Sequence, residues 1–335
     1  MDQERTDRIE MIRDSASAVV SADGDVSRIR GLRFGDRDFD AATWQEMLAL
    51  GWIPLLVPED AGGAGLGMGE YCALAEIMGR GLVPEPFVAA VPAVAALPDA
   101  ARDAVLAGHS LYLPALGGNI AVRGGRLSGR CTGVLSARHA DGFLILADTG
   151  FWVVEAGDVT LTSVGAQDGR SIATIAMSDS PARPATGDGL TAERLRLGIA
   201  AELLGIGQRA FDITLDHLRT RQQFGRAIGS FQALQHRCAD LLVQIELARA
   251  AVDAAARAFD SGRERDAIRQ AVSRAKARAG DMAMLVTRQG IQLHGGIGFA
   301  DESDIGLYLR RAMVLVNQGG SPGWHRKRYG TLLAA

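Results

Sequence analysis

The sequence predicts a mainly α-helical protein with a central β-domain. An N-terminal helical domain is expected over residues 1–107, a small antiparallel β-barrel or sandwich over 108–185, and a C-terminal four-helix bundle over 186–335. Three observations predict this. Helical texture broken by Gly and Pro fills the first part. Short apolar runs separated by Gly, Asp and Ser fill the middle, and Ala-rich segments studded with Arg and Glu fill the rest. At 335 residues the chain is long enough for two or three compact units.

Taken in order, Trp44 to Leu50 reads as a short amphipathic turn ending at Gly51, and Pro58 to Gly63 as a loop. Gly69 to Gly79 reads as a helix stopped by Pro84 and Pro86, since the residue before a proline avoids the helical region. Phe143–Ala147 and Trp152–Val154 are apolar runs punctuated by Gly124, Gly125, Gly129, Gly150, Gly157 and Gly165, which is strand-and-turn texture. Trp152 is expected in the core of that domain. Ser180 to Pro184 closes it as a linker. Three long helices follow over 192–219, 231–260 and 267–293. In the first, Leu197, Leu204 and Phe211 recur every seven residues, with Ile199, Leu203 and Ile206 beside them, giving a wide apolar stripe.

Composition narrows the function classes. A net charge of −3 gives no reason to expect nucleic acid or an anionic membrane as partner. The basic run Arg326–Arg328 reads as a solvated helix end. Cys72, Cys131 and Cys238 are few, odd in number and without metal-ligand spacing, which fits a reducing compartment. The charged start lacks the apolar core of a secretory signal. No stretch reaches the roughly 20 apolar residues of a membrane span. A cytoplasmic location is expected.

Two segments carry the chemistry. Arg221 and Phe224, three residues apart, are expected on one helix face or at its frayed end, with Gln232 starting the next helix. An arginine there can pair with a pyrophosphate, a phenylalanine can line an aromatic ring and a glutamine can donate a hydrogen bond. The same residues suit a salt-bridged helix corner, and chemistry alone leaves both open. Gln292-Leu-His-Gly-Gly296 ends another helix. Its paired glycines make a C-cap turn and also let backbone approach a flat or anionic ligand closely. His294 reads as packing rather than as a base.

In order and spacing, these segments resemble the paired flavin-contacting segments of the acyl-CoA dehydrogenase family. The phrase LGWIPLLVPEDAGGAGLGMGEYCALAEIMGRGLVPEPF resembles that family's N-terminal helical domain. The helical, β, helical order extends the resemblance over essentially the whole chain, which is shorter than usual around residues 95–120. The resemblance implies FAD as cofactor and α,β-desaturation of an acyl-CoA thioester, with electrons leaving to an electron-transfer flavoprotein. It also implies that Arg221, Phe224, Gln232, Gln292, Gly295 and Gly296 contact a flavin bound in a neighbouring subunit. Arg196 and Arg310 match arginines of the family's active-site and closing helices.

The departures are as informative as the matches. The family removes the substrate α-proton with a glutamate, placed in a Glu-Gly-Thr turn after the closing helix or on the helix that opens the last domain. Counted from Arg310, the first place reads Gly319-Gly320-Ser321, or Gln318 with a one-residue slip. Counted back from Gln208, the second is Leu195. Glu202 lies seven residues beyond Leu195 on nearly the same face, about 10 Å along the helix, and Glu193 lies closer but rotated away. Both are candidate displaced bases. The flavin-ring side is altered too: Leu113–Asn119 replaces the usual Thr-Glu-Pro…Ala-Gly-Ser-Asp stretch. Gly133 and Leu135, with Ser136 one residue off, stand where a Trp-x-Ser/Thr is usual.

One half of a shared site is kept and the other is lost. The expectation is therefore a subunit, in an α2β2 assembly with a second acyl-CoA dehydrogenase-like subunit, that completes the partner's flavin site while the partner supplies the glutamate. The short degenerate subunits of actinobacterial steroid side-chain acyl-CoA dehydrogenases look similar. Two alternatives stand beside it: a self-sufficient flavoenzyme using Glu202 or Glu193, and a flavin-free structural or interaction subunit.

Overall fold

The computed structural model describes residues 2–16, 19–20 and 25–334. The chain opens with helices α1 (Asp2–Ser15), α2 (Ser27–Leu32) and α3 (Ala41–Ala49). The Asp40 carboxylate caps α3 by accepting from the Ala42 amide, and Trp44 and Met47 bury its inner face. The helix thus begins three residues before the turn expected at Trp44. Next come α4 (Met68–Arg80), α5 (Phe87–Val94) and α6 (Asp99–Leu106). The end of α4 is set earlier than Pro84. Leu82 takes a left-handed φ of 51° and the Val83 amide returns to the Met78 carbonyl at 2.9 Å, closing the helix before either proline.

Eight strands follow: β1 (Tyr112–Ala115), β2 (Gly118–Arg123), β3 (Arg126–Leu135), β4 (Gly142–Ala147), β5 (Gly150–Glu155), β6 (Thr160–Gly165), β7 (Ser171–Pro181) and β8 (Arg183–Pro184). They form two four-stranded sheets, in the orders β1-β4-β5-β8 and β2-β3-β7-β6. Among the described residues neither sheet closes into a barrel. Pairing is antiparallel except between β1 and β4, which run parallel. Gly124 and Gly125, both at positive φ, turn the β2–β3 hairpin as a two-residue connection requires. Leu127, Cys131, Phe143, Leu144, Ile145, Val153 and Ile175 are buried. Trp152 is not. It is half-exposed and its indole N–H donates to Thr149 Oγ1 at 2.9 Å, whereas the next two residues of β5, Val153 and Val154, are both buried.

The rest is helical: α7 (Thr191–Thr220), a two-stranded hairpin β9 (Gln222–Gln223) and β10 (Arg226–Ala227), then α8 (Gln232–Asp260), α9 (Arg265–His294), α10 (Ile305–Leu315) and α11 (Pro322–Ala334). Leu197, Ile199, Leu203, Leu204, Ile206 and Phe211 are all buried, as the stripe predicts. α9 packs against α8, α10 and α11. Two glycines let α7 and α4 touch main chain to main chain. A Cβ on Gly205 would lie 1.8 Å from the Glu76 carbonyl oxygen, and one on Gly79 would lie 2.0 Å from that of Glu202.

The chain divides into two compact units. One comprises Met1–Val26, Cys72–Val83 and Arg196–Ala335, and the other comprises Ser27–Tyr71 and Pro84–Leu195. The second unit is tied together by Asp38, which accepts from the Ser171 amide at 2.7 Å, from the Ser171 hydroxyl and from Arg138 at 2.8 Å. Among the described residues no helix is long and apolar enough to cross a membrane.

Candidate functional site

The two motif segments meet at one end of the helical bundle. α7 stops at Thr220, and the Arg221 amide still donates to the His217 carbonyl at 2.9 Å. Beyond it the chain makes a tight hairpin. Gln223 pairs with Arg226, and the two turn residues, Phe224 and Gly225, have φ of 54° and 77°. Left-handed φ at both central positions is the signature of a type I′ connection. Arg221 therefore stands at the helix end and Phe224 at a hairpin tip just beyond it, which is the helix-end alternative rather than a shared helix face. A bulky side chain at positive φ is strained by ~1–2 kcal/mol. Phe224 is nevertheless 89% exposed. Its ring meets Phe231 edge-on at 6.2 Å, and the Arg226 guanidinium covers Phe231 at 4.1 Å. Gln232, the first residue of α8, follows directly and is exposed.

The second segment closes α9. Gln292 is exposed in the last turn, and His294 Nδ1 donates to the Gly290 carbonyl at 2.8 Å. Gly295 caps the helix at φ 68° and ψ −143°, a conformation open only to glycine, and a 3₁₀ turn runs from Gly295 to Phe299. A Cβ on Gly295 or Gly296 would meet nothing within 4 Å, so the backbone here is open to a ligand. Ile297 and Phe299 are 60% and 80% exposed. The segments are joined by the His217 and His294 rings, stacked at 4.3 Å and 22°. Among the described residues, no ion pair or side-chain hydrogen bond takes up the Arg221 guanidinium or the Gln292 amide.

These residues fit the phosphate and adenine portion of FAD. Arg221 offers a planar cation for a pyrophosphate. Phe224 offers a ring face, and Gln232 and Gln292 offer amides. Gly295 and Gly296 offer backbone without side chains.

The turn after α10 is built differently. Gly319 and Gly320 have φ of 67° and 118°. Arg196 Nε donates to the Gly319 carbonyl at 3.0 Å. Lys276 Nζ, fully buried, donates to the carbonyls of Val316 at 3.0 Å, Gly320 at 3.2 Å and Leu315 at 3.4 Å. Burial, and then the charge of Arg196, push the Lys276 pKa down to about 7. His325, also fully buried, is pushed down to about 3 by burial and by Lys276, Arg196 and Arg328. The Gly319 carbonyl offsets this only in part. A Cβ on Gly320 would lie 2.5 Å from Trp324 and 3.0 Å from His325 Nε2, so the turn has no room for a side chain there. Lys276 and His325 went unremarked in the sequence. The available signal was a lysine four residues after Val272 on the buried stripe of α9.

The two candidate bases lie apart from this turn in the chain. Glu202 is buried and faces the buried Arg311 at 3.5 Å, while Arg311 also donates to the carbonyls of Val83 at 3.1 Å and Leu82 at 3.2 Å. Glu193 is buried in the first turn of α7, and its amide donates to the Leu190 carbonyl. Leu195 is buried as well. Arg310 pairs with Asp301 at 2.7 Å. On the β side, Gly133 sits at a bulge of β3, Leu135 is half-buried and Ser136 is buried with φ 55°. Leu113 and Ala115 are buried in β1, whereas Asn119 is exposed in β2. No cluster of metal-ligating side chains occurs among the described residues.

In chain order a bundle of long helices follows two small sheets, and a basic and aromatic hairpin lies beside a bare glycine turn at its end. The chain belongs to the acyl-CoA dehydrogenase family. The family's C-terminal domain matches residues 188–330 and its N-terminal domain residues 6–103. Acyl-CoA dehydrogenase FadE34 of Mycobacterium tuberculosis is 32% identical over 95% of this chain, which spans 46% of that protein's length. Acyl-CoA dehydrogenase IpdE2 of the same organism is 31% identical over 90% of each chain. The solved Tcur3481-Tcur3483 steroid ACAD superposes with a TM-score of 0.89 at 27% identity, covering 99% of this chain and 98% of that one.

Proposed function

We propose that this chain is the non-base subunit of a hetero-oligomeric, FAD-dependent acyl-CoA dehydrogenase. It pairs, as α2β2, with a second dehydrogenase-like subunit whose flavin site it completes and which supplies the catalytic glutamate. FAD, when bound, accepts the hydride lost from the acyl-CoA β-carbon, and an electron-transfer flavoprotein takes the electrons onward. Arg221, Phe224, Gln232, Gln292, Gly295 and Gly296 bind and orient the phosphate and adenine end of that flavin. Family membership supports the oxidoreductase class. The similarity to a steroid ACAD supports a bulky ring-bearing thioester as substrate.

One contrast carries the reading. The ligand-facing residues stand exposed at the bundle end, while the turn after α10 holds no carboxylate and is packed against Trp324, His325 and Lys276. A surface of this kind is of use to a neighbour's cofactor. The test is the flavin-to-protein ratio, by absorbance, of the chain alone and of the chain co-purified with a dehydrogenase subunit encoded beside it. A colourless chain that gains about one flavin per heterodimer is expected, with Arg221→Ala lowering that content. A chain that is stoichiometrically yellow by itself would overturn the proposal.

A further inference from the structure

The stacked histidines explain how two segments far apart in sequence act as one surface. Contact between α7 and α9 is set one turn earlier. Gly290 has no side chain, and a Cβ there would lie 2.7 Å from Ile305 Cδ1 and 3.0 Å from Thr214 Oγ1. That close approach carries His217, three residues after Thr214, onto His294, four residues after Gly290. The next step along each chain is Arg221 on one side and Gly295 on the other. The ring pair is thus the last tie before the ligand-facing residues begin. His294 is held in place by its Nδ1 bond to the Gly290 carbonyl, so the tie has a fixed orientation.

We propose that His217 is a positioning residue: its ring, stacked on His294, holds the Arg221–Phe224 hairpin and the Gln292–Gly296 turn in register as one ligand-facing surface, and protonation of the pair releases them. The inference rests on the proposed function for the identity of the ligand, but not for the coupling itself. Arg221 is the charged side chain that bears on His217, while His294 is acted on by burial and by its bond to the Gly290 carbonyl. Neither α9, nor the turn after it, nor α10, whose Ile305 packs on Gly290, brings a carboxylate to bear on either ring. Two protonated rings would place like charges 4.3 Å apart beside a third, with nothing to offset them. Burial lowers the pKa of both rings, His294 and Arg221 lower that of His217 further, and the Gly290 carbonyl offsets only part of the shift at His294, so the pair is neutral and stacked at neutral pH.

The test is amide hydrogen exchange of the isolated chain over residues 221–232 and 292–299, with His217→Ala and His217→Phe beside the wild type. Phenylalanine keeps a stacking ring and removes the titration at position 217, so no pair of like charges can form with His294. After correction for intrinsic rates, wild-type exchange in both segments should rise about threefold or more as the pH falls from about 7.5 to about 4.5, with the rise lying below the ordinary histidine midpoint of about 6.5. H217A should exchange fast at both pH values and H217F slowly at both. Parallel pH profiles for wild type and H217F, or 292–299 as protected in H217A as in wild type, would overturn the proposal. The flavin content of the co-purified Arg221→Ala complex reports separately on the proposed function. Coupled exchange with unchanged flavin would therefore leave the histidine tie standing and remove the ligand assigned to it.

Discussion

Lys276 is the residue whose energetics are most out of the ordinary. A fully buried ammonium is costly unless its protons are all placed, and here the carbonyls of Leu315 and Val316 at the end of α10 and of Gly320 in the turn beyond receive them. Carbonyls at a helix C-terminus lack helical partners, so by bonding the Val316 carbonyl the lysine serves in part as a buried C-cap. The sign of its pH effect follows from the direction of its shift. The unfolded lysine binds a proton up to about 10.5, the folded one only up to about 7, so between those values the unfolded state holds more protons. Stability should rise with pH across that window, by up to about 1.4 kcal/mol per pH unit, and the cost should be present in full below it. Urea denaturation at several pH values between about 7 and 9.5 checks this, with Lys276→Met, similar in length and uncharged, expected to lack the slope. Parallel curves for the two proteins would mean that Lys276 keeps its proton throughout.

At the scale of the element, the hairpin after α7 shows strain kept at a site of use. Asn or Gly is the ordinary occupant of a left-handed turn position, and Phe224 is neither. Phe224→Asn should relieve backbone strain of about 1 kcal/mol and hold or raise the melting temperature of the isolated chain. The same change should lower the flavin content of the complex, because the exposed ring is lost. A melt and an absorbance spectrum on one preparation separate the two effects, and a drop in melting temperature would show that the ring is structural. The hairpin also marks where sequence reading gave out. The α7 stripe was legible because Leu197, Leu204 and Phe211 repeat with the helical period and all are buried. The hairpin was not, because its first turn residue lacks the usual chemistry, and Arg221 and Phe224 at a spacing of three look helical. Gly295 was legible as a C-cap, since a glycine pair after a long helical stretch has few other uses. Trp152 misled because the buried stretch of β5 starts only at Val153 and takes in Val154, and where a strand's burial begins cannot be placed without its partner strands. Lys276 and His325 were hidden for a related reason: only tertiary packing shows that a charged residue on a helix faces inward.

For the whole molecule, the open matter is where the assembly keeps its base, and Glu202 separates the possibilities. Its carboxylate faces Arg311 in a nearly water-free site, together with the carbonyls of Leu82 and Val83. A carboxylate held as a counter-ion of a buried guanidinium serves the fold, and removing its charge takes from that cation a partner it has in the interior. Breaking such a pair costs on the order of 3 kcal/mol. Glu202→Gln should therefore lower the urea stability of the chain by about that amount. In the complex, the proposed assignment of the base to the partner subunit predicts turnover per bound flavin within about twofold of wild type. Assaying acyl-CoA oxidation against flavin content, rather than against total protein, removes the contribution of unfolded chain. Loss of turnover at full flavin content would instead place the base on α7 of this chain. The carboxylate-free turn after α10 would then mark a displaced active site, not a surrendered one.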